Sequence, residues 1–240
     1  ISAEIAAAGD EAAGIEVAKR YNLCTPDGKL DGTQVKSVTL TDGTQTMVQI
    51  IGFNHDDKTE GGKAGISFIF GGVIAEMPMN PSDTNTGGWE ASQLRAYLNA
   101  DGMNLLPQEL AGKIVAVDKL TNNVGQTKDV SSVSATSDKL WLPSATELCG
   151  TISWYGEGYS YDSIFNAEGT EYKFYHDKAV NSTDPNDVLV KTNSGGPCFW
   201  WERSPVPNRP DSFLRVGPDG YPYNGGSTSF SYGVVPGFCI

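Results

Sequence analysis

Apolar and polar positions alternate most cleanly between Val35 and Phe53, where two β-branched runs, Val35 to Leu40 and Thr46 to Phe53, flank Thr41-Asp42-Gly43. A period of two interrupted by an Asp-Gly turn predicts a hairpin, and with it an antiparallel sheet. Upstream, residues 3 to 21 are Ala-rich, and Ile5, Ala8, Ala12 and Ile15 recur on one stripe at heptad-like spacing. That stripe predicts one helix over residues 1–22, packed on its own domain or forming the end of an oligomerising stalk, although Gly14 weakens the second reading. Gly65 to Met79 is apolar, and the pair Gly71-Gly72 splits it or marks a bulge. Trp89, Leu94, Tyr97 and Leu98 then fall at helical spacing with Ser92 as a candidate cap, and Leu105 to Val117 reads as a short second helix giving way to a strand. Thr121 to Ser137 is a polar loop or exposed hairpin, and Leu140 to Leu148 a buried strand end turning into a short helix capped by Ser144. Residues 155 to 195 read as long surface loops. Phe199 to Arg203, Phe213 to Val216 and Gly233 to Ile240 are predicted strands, joined by turns at Pro218 to Tyr221 and Asn224 to Gly226. Strands at both ends with two helices between them predict an α+β domain, residues 23–240, whose N- and C-terminal strands pair in one antiparallel sheet.

Composition narrows the function. Of 240 residues, 39% are hydrophobic, enough for a packed core, while 28 glycines favour a loop-rich architecture over a helical bundle. A net charge of −12 without any Lys/Arg cluster argues against nucleic acid and acidic membrane surfaces. No apolar run reaches the roughly 20 residues that cross a bilayer, so no membrane insertion is expected. The chain opens at Ile1 without a methionine or a charged-then-apolar leader, as expected of a processed product or an excised fragment. Cys24, Cys149, Cys198 and Cys239 are scattered and form no CxxC pair, so free, mostly buried thiols are expected.

A search for catalytic chemistry yields little. The two histidines, His55 in NHDD and His176 in YHDK, lie in polar surroundings without a triad motif. Asp56 and Asp57 beside His55, the pair Asp184 and Asp187, and Asp162 near Glu157 offer oxygens for a cation, but read as solvated loops. Neither a phosphate-binding loop of the GxxxxGK[ST] kind nor a GxGxxG motif is present. No catalytic residue, metal site or cofactor is predicted.

Four segments together resemble bacterial and phage C-type-lectin-like domains of the formylglycine-generating-enzyme branch. They are GGWEASQLRAYLN (Gly87 to Asn99), KLWLPSATEL (Lys139 to Leu148), FWWERSP (Phe199 to Pro205) and YGVVPGFCI (Tyr232 to Ile240). Some members of that group are variable proteins of diversity-generating retroelements, which rewrite adenines in the codons of a C-terminal surface. The resemblance implies a ligand-binding protein, not an enzyme, shown outside the cell on a phage tail or a prokaryotic cell surface. Its partner would be a protein or glycan receptor on a host or neighbouring cell, and it would be free to oligomerise. A fixed-specificity adhesin and a formylglycine-generating-type enzyme using Cys198 and Cys239 are the alternatives. The Glu-Pro-Asn, Gln-Pro-Asp and Trp-Asn-Asp triplets of calcium-dependent sugar-binding lectins are missing, which argues against calcium-mediated sugar binding.

The sequence offers its own check on diversification. Mutation of the two adenines in AAC or AAT codons never yields Lys, Glu, Gln, Met or Trp. None of these five occurs from Ser204 to Ile240, whereas residues 1 to 203 contain 12 Lys, 12 Glu, 6 Gln, 4 Met and 5 Trp. A turn-rich stretch avoids some of these residues for its own reasons, which weakens the signal without removing it. The variable region is thus expected at about residues 204–232. Its candidate contacts are the aromatics Tyr221, Tyr223, Phe230 and Tyr232, the forked donors Arg209 and Arg215, and the short polar residues Asn208, Asp211, Ser212, Asn224, Ser227 and Ser229, with Leu214 among them. Trp200, Trp201, Arg203, Val234, Val235 and Phe238 are assigned to the scaffold, with sugar stacking by one of the two tryptophans as the alternative.

Overall fold

The computed structural model describes residues 1–155 and 161–240. Its helices are short: α1 (Ser2–Ala7), α2 (Glu11–Arg20), α3 (Gln93–Leu98), α4 (Gln108–Ala111), α5 (Ala145–Cys149), α6 (Tyr161–Asn166) and α7 (Lys173–Asp177). The strands are β1 (Val35–Thr39), β2 (Gln45–Phe53), β3 (Ile66–Phe70), β4 (Ala75–Met77), β5 (Val117–Asn122), β6 (Val133–Asp138), β7 (Lys191–Asn193), β8 (Gly196–Cys198), β9 (Trp200–Pro205), β10 (Ser212–Val216), β11 (Asn224–Ser227), β12 (Tyr232–Val234) and β13 (Gly237–Cys239). The chain is therefore a mixed α+β protein dominated by sheet. Among the described residues no helix is long and apolar enough to cross a membrane.

Two sheets organise the strands. One runs β1-β2-β3-β13 and the other β11-β10-β9-β12-β4, while β5–β6 and β7–β8 are separate hairpins. The first confirms that strands from both ends of the chain share a sheet, because Phe238 pairs with Phe68 and Ile50 pairs with Phe68 from the other side. The chain passes between the sheets twice. After β3 it crosses at Gly71-Gly72 into β4, and after β12 it returns at Val235-Pro236 into β13. The crossings lie side by side, since Ile74 N donates to Val234 O at 3.0 Å and Phe70 N to Pro236 O at 3.1 Å. Gly237 closes the arrangement against Trp141. A Cβ at Gly237 would meet the indole at 2.3 Å, so only glycine lets the two backbones exchange their hydrogen bonds.

Several local expectations hold for the reasons given. The β1–β2 hairpin turns at Gly43, which has φ +89°. Ser92 caps α3, and Ser144 and Glu147 form a reciprocal capping box on α5. The four thiols are unpaired, and three of them are buried.

Others are corrected. The N-terminal stretch is two helices, because Gly9 at φ +90° ends the first and Asp10 caps the second by accepting from Ala13 N at 2.8 Å. Both fold back on the domain, where Asn54 Nδ2 donates to Ile5 O at 2.6 Å and Asp10 O at 3.1 Å. Residues 155 to 195 are not only loops. They contain α6, α7 and β7, and bury Phe165, Tyr172, Tyr175 and Leu189. Asn224 to Gly226 is no turn but belongs to β11, which pairs with β10. Instead of two helices, the described residues hold seven, each of ten residues or fewer.

The scaffold tryptophans behave as core. Trp200 and Trp201 are fully buried, and Trp200 Nε1 donates to Leu189 O at 2.8 Å. Trp200→Ala is expected to lower the unfolding free energy by roughly 3–5 kcal/mol, measurable by urea denaturation. A loss below about 1 kcal/mol would show that Trp200 is not a core anchor.

Candidate functional site

The C-terminal strands rest on buried charge. Arg203, fully buried on β9, donates from Nε to Thr121 Oγ1 at 2.8 Å, from Nη1 to Leu142 O at 2.7 Å and from Nη2 to Leu120 O at 3.0 Å. Its fork also grips Glu147, with Nη2 to Oε1 at 2.9 Å. Glu147 in turn pairs with Lys119 at 2.6 Å, and Lys119 reaches Asp56 at 2.8 Å and Tyr172 Oη at 2.8 Å. The Lys119 ammonium lies 4.0 Å from the centre of the Trp141 ring. Asp56 is thus buried and paired, correcting its assignment to a solvated loop. Burial alone would raise Asp56 and Glu147, but Lys119 beside the first and Arg203 beside the second outweigh it and hold both below the usual carboxylate range. Glu168 is the opposite case. Burial pushes it up to about 7, although Asn122 N donates to it at 2.9 Å and Ser204 Oγ donates as well.

Above this platform the expected contacts separate into displayed and buried groups. Asn208 and Arg209 are exposed, and Phe230 keeps 60% of its surface accessible. Asp211, Arg215, Tyr221, Tyr223, Asn224, Ser227, Ser229 and Tyr232 are half-buried. Ser212 and Leu214 are fully buried and leave the candidate surface, although Arg215 on the same strand, β10, stays half-buried.

Seven of these eleven groups fall in three clusters, while Arg209, Asp211, Tyr221 and Phe230 stand outside them. In the first, Tyr223 stacks on Trp154 with ring centres 4.5 Å apart, and the Tyr155 hydroxyl lies 2.8 Å from that of Tyr223 and donates to Asn208 Oδ1 at 3.1 Å. In the second, the Arg215 guanidinium packs on the rings of Phe199 (3.8 Å) and Tyr232 (4.2 Å) and donates from Nη2 to Asn224 Oδ1 at 3.2 Å. Gly226 lies beneath it, where a Cβ would come within 2.8 Å of Arg215 Cδ and 2.9 Å of Tyr232 Cε2. In the third, Asp83 Oδ1 accepts from Ser229 N at 3.2 Å and Ser229 Oγ at 2.6 Å, and also from Ser227 Oγ. Phe199, Asp83, Trp154 and Tyr155 escaped the sequence reading because they lie outside the compositional blank. The FWWERSP match contained Phe199 but offered no reason to set it apart from the buried tryptophans.

The backbone of this surface is fastened from elsewhere. Buried Asn85 donates from Nδ2 to Val206 O (3.2 Å), Arg209 O (2.8 Å) and Ser212 O (3.0 Å). Asn80 N donates to Thr228 O at 3.0 Å and Thr84 N to Thr228 Oγ1 at 2.9 Å.

The remaining candidates do not assemble. His55 stacks on Tyr172 at 4.0 Å, and His176 is exposed beside Glu171 at 3.1 Å. Asp184 and Asp187 are exposed, Asp162 accepts from the backbone of Trp154 and Tyr155, and Glu157 lies outside the described residues. Among the described residues no three His, Cys, Asp or Glu side chains are grouped to hold a metal ion.

Fold and surface together define a mixed α+β domain of two interlinked sheets with a face of aromatic and short polar side chains near its C-terminal strands. Residues 65–240 match a family described as "Domain of unknown function (DUF6273)", and the chain belongs to that family. No curated protein and no solved structure matches it.

Two outcomes follow from this geometry. Asn85→Ala removes a donor from three carbonyls and is expected to destabilise the protein by about 1–3 kcal/mol, whereas Asn208→Ala stays within about 0.5 kcal/mol. Equal effects in denaturant melts would contradict the assignment of anchor and display. The second concerns pH. Glu168 is raised from 4.5 to about 7, so between those values the folded chain keeps a proton that the unfolded chain has released. Stability should decline as pH rises through this window, by about 3 kcal/mol in total from this group, and the loss is complete above about pH 7. Asp56 and Glu147, being lowered, act at the acid end, where their contribution is lost as pH falls. Glu168→Gln should flatten the decline between pH 5 and 8 in denaturation series, and an unchanged slope would contradict it.

Proposed function

We propose that this chain is a ligand-binding protein with a C-type-lectin-like fold, and that its variable region, about residues 204–232, carries a surface diversified by a retroelement to change its target. The observation that carries this reading is the separation of anchoring from display. Asn85, Asp83, Asn80 and Thr84 hold the backbone from outside the segment, so Asn208, Arg209 and Phe230 contribute little to the core and can vary without unfolding it. The blank of Lys, Glu, Gln, Met and Trp across Ser204 to Ile240 supports the same reading, as does a surface chemistry of rigid rings and adaptable short polar groups. The target would be a protein or glycan receptor on a host or neighbouring cell, met from a phage tail or a prokaryotic cell surface. No cofactor is required.

A thiol-based enzyme is less well supported. Burial pushes the Cys239 thiol well up, the adjacent Asp56 carboxylate adds to the effect, and burial raises Cys198 as well. Both changes disfavour the thiolate.

The direct test is a display library with Asn208, Arg209, Tyr223, Asn224 and Phe230 randomised and Asn85, Asp83, Arg203 and Gly226 kept. Most members are expected to fold, and binders to unrelated protein and glycan targets should be selectable. Phe230→Ala in a selected binder should change stability by no more than about 0.5 kcal/mol but cost about 2 kcal/mol of affinity where that ring is an anchor. A library that mostly unfolds would defeat the proposal. Diversification itself predicts a reverse transcriptase gene and a near-copy of the C-terminal coding region beside the gene, and a neighbourhood lacking both would leave a fixed-specificity adhesin.

A further inference from the structure

One side of the first sheet, lined by none of residues 208–232, is left partly open. The register places Lys36 opposite Val48, Val38 opposite Thr46, Ile50 opposite Phe68 and Phe68 opposite Phe238, so these side chains share one face. Over it lie two adjoining cavities. One, of about 400 Å³, is walled by Pro107 and Leu110 near α4; the other, of about 350 Å³, is walled by Asn22 and Leu23 after α2. Phe68 and Lys36 line both, so the cavities form one groove with a ring in its floor and an ammonium at its rim. Phe68 and Val38 are only half-buried, although their neighbours Val48, Ile50 and Phe238 are buried.

We propose that this groove binds an anionic amphiphile of the fatty-carboxylate class, with its chain along Val38, Phe68 and Leu110 and its head group on Lys36. Each cavity is of the size small ligands occupy, roughly 300–1,000 Å³, and an apolar floor with few polar groups is the usual composition of such sites. The charge selects the head group. Lys36 is exposed and has no ion-pair partner among the described residues, and a second cation at the rim, Lys113, has only a long 3.6 Å contact with Glu109. In a chain of net charge −12, a rim with two lysines and one glutamate on an apolar groove is a local inversion that favours an anion.

Calorimetric titration of the full chain with dodecanoate, dodecyltrimethylammonium and dodecyl maltoside, each below its micellar concentration, tests the proposal. Dodecanoate is expected to bind one per chain, and the cationic probe at least several-fold more weakly. Lys36→Glu should weaken dodecanoate by about three- to tenfold, the range expected of reversing one exposed charge, and Lys36→Arg should retain it. Val38→Trp, which fills the groove, should abolish uptake while the thermal melt confirms folding. Absence of dodecanoate uptake, equal uptake of all three probes, or insensitivity to Lys36→Glu and Val38→Trp would overturn the proposal. So would sedimentation showing a dimer that Val38→Trp dissociates. None of these outcomes bears on the C-terminal surface.

Discussion

The fork of Arg203 on Glu147 is the contact on which the rest of the structure depends. Arg203 reaches carbonyls at Leu120 and Leu142 and joins the central sheet to the β5–β6 hairpin and to the capping residue pair of α5. Through Glu147 the charge passes to Lys119 and then Asp56, so four ionised side chains lie in sequence within the interior. Such a chain is costly to desolvate and adds little net stability, but removal of one member leaves its neighbour charged and unpaired. Its consequence is specificity. Segments near residues 56, 119, 147 and 203 are held in one relative arrangement, where apolar packing alone would tolerate several.

That rigidity matters to the surface above it. Arg215 lies in the same sheet as Arg203, one strand away, yet its surroundings are different in kind. Rings of Phe199 and Tyr232 pack against it and Asn224 holds one edge, and it stays half-buried where Arg203 is fully enclosed. The first arginine ties elements of the interior together, and the second packs on rings at the protein's surface. The distinction rests on which strand face is covered, not on residue type.

Much of the architecture was legible in the sequence where the signal is local. Thr41-Asp42-Gly43 marked a hairpin, Ser144 with Glu147 marked a helix start, and the apolar flanks at Trp200, Val234 and Phe238 marked core. The charge chain was not legible, because its members are separated by tens of residues and Asp56 sits in a polar tetrapeptide that looks solvated. Residues 155 to 195 misled for a related reason: Gly, Asn and Asp set the average, while four aromatic or aliphatic anchors at Phe165, Tyr172, Tyr175 and Leu189 set the structure. At the surface, Asn208, Arg209 and Phe230 could be named in advance from composition. Ser212 and Leu214 could not be told from them, because a compositional blank does not record which face of a strand is covered.

The second crossing between the sheets has a consequence for synthesis. Strands β12 and β13 are separated by only two residues, and β13 pairs with β3 on one side while bridging to Trp141 on the other. On the ribosome, the edge of β3 stays open and Trp141 lacks its cover until Gly237 has left the exit tunnel. Everything from Asn208 to Tyr232 is translated before that moment, so closure of the domain certifies that this stretch was read through in frame. A copy ending or shifting frame within it never acquires β13, and its first sheet cannot close.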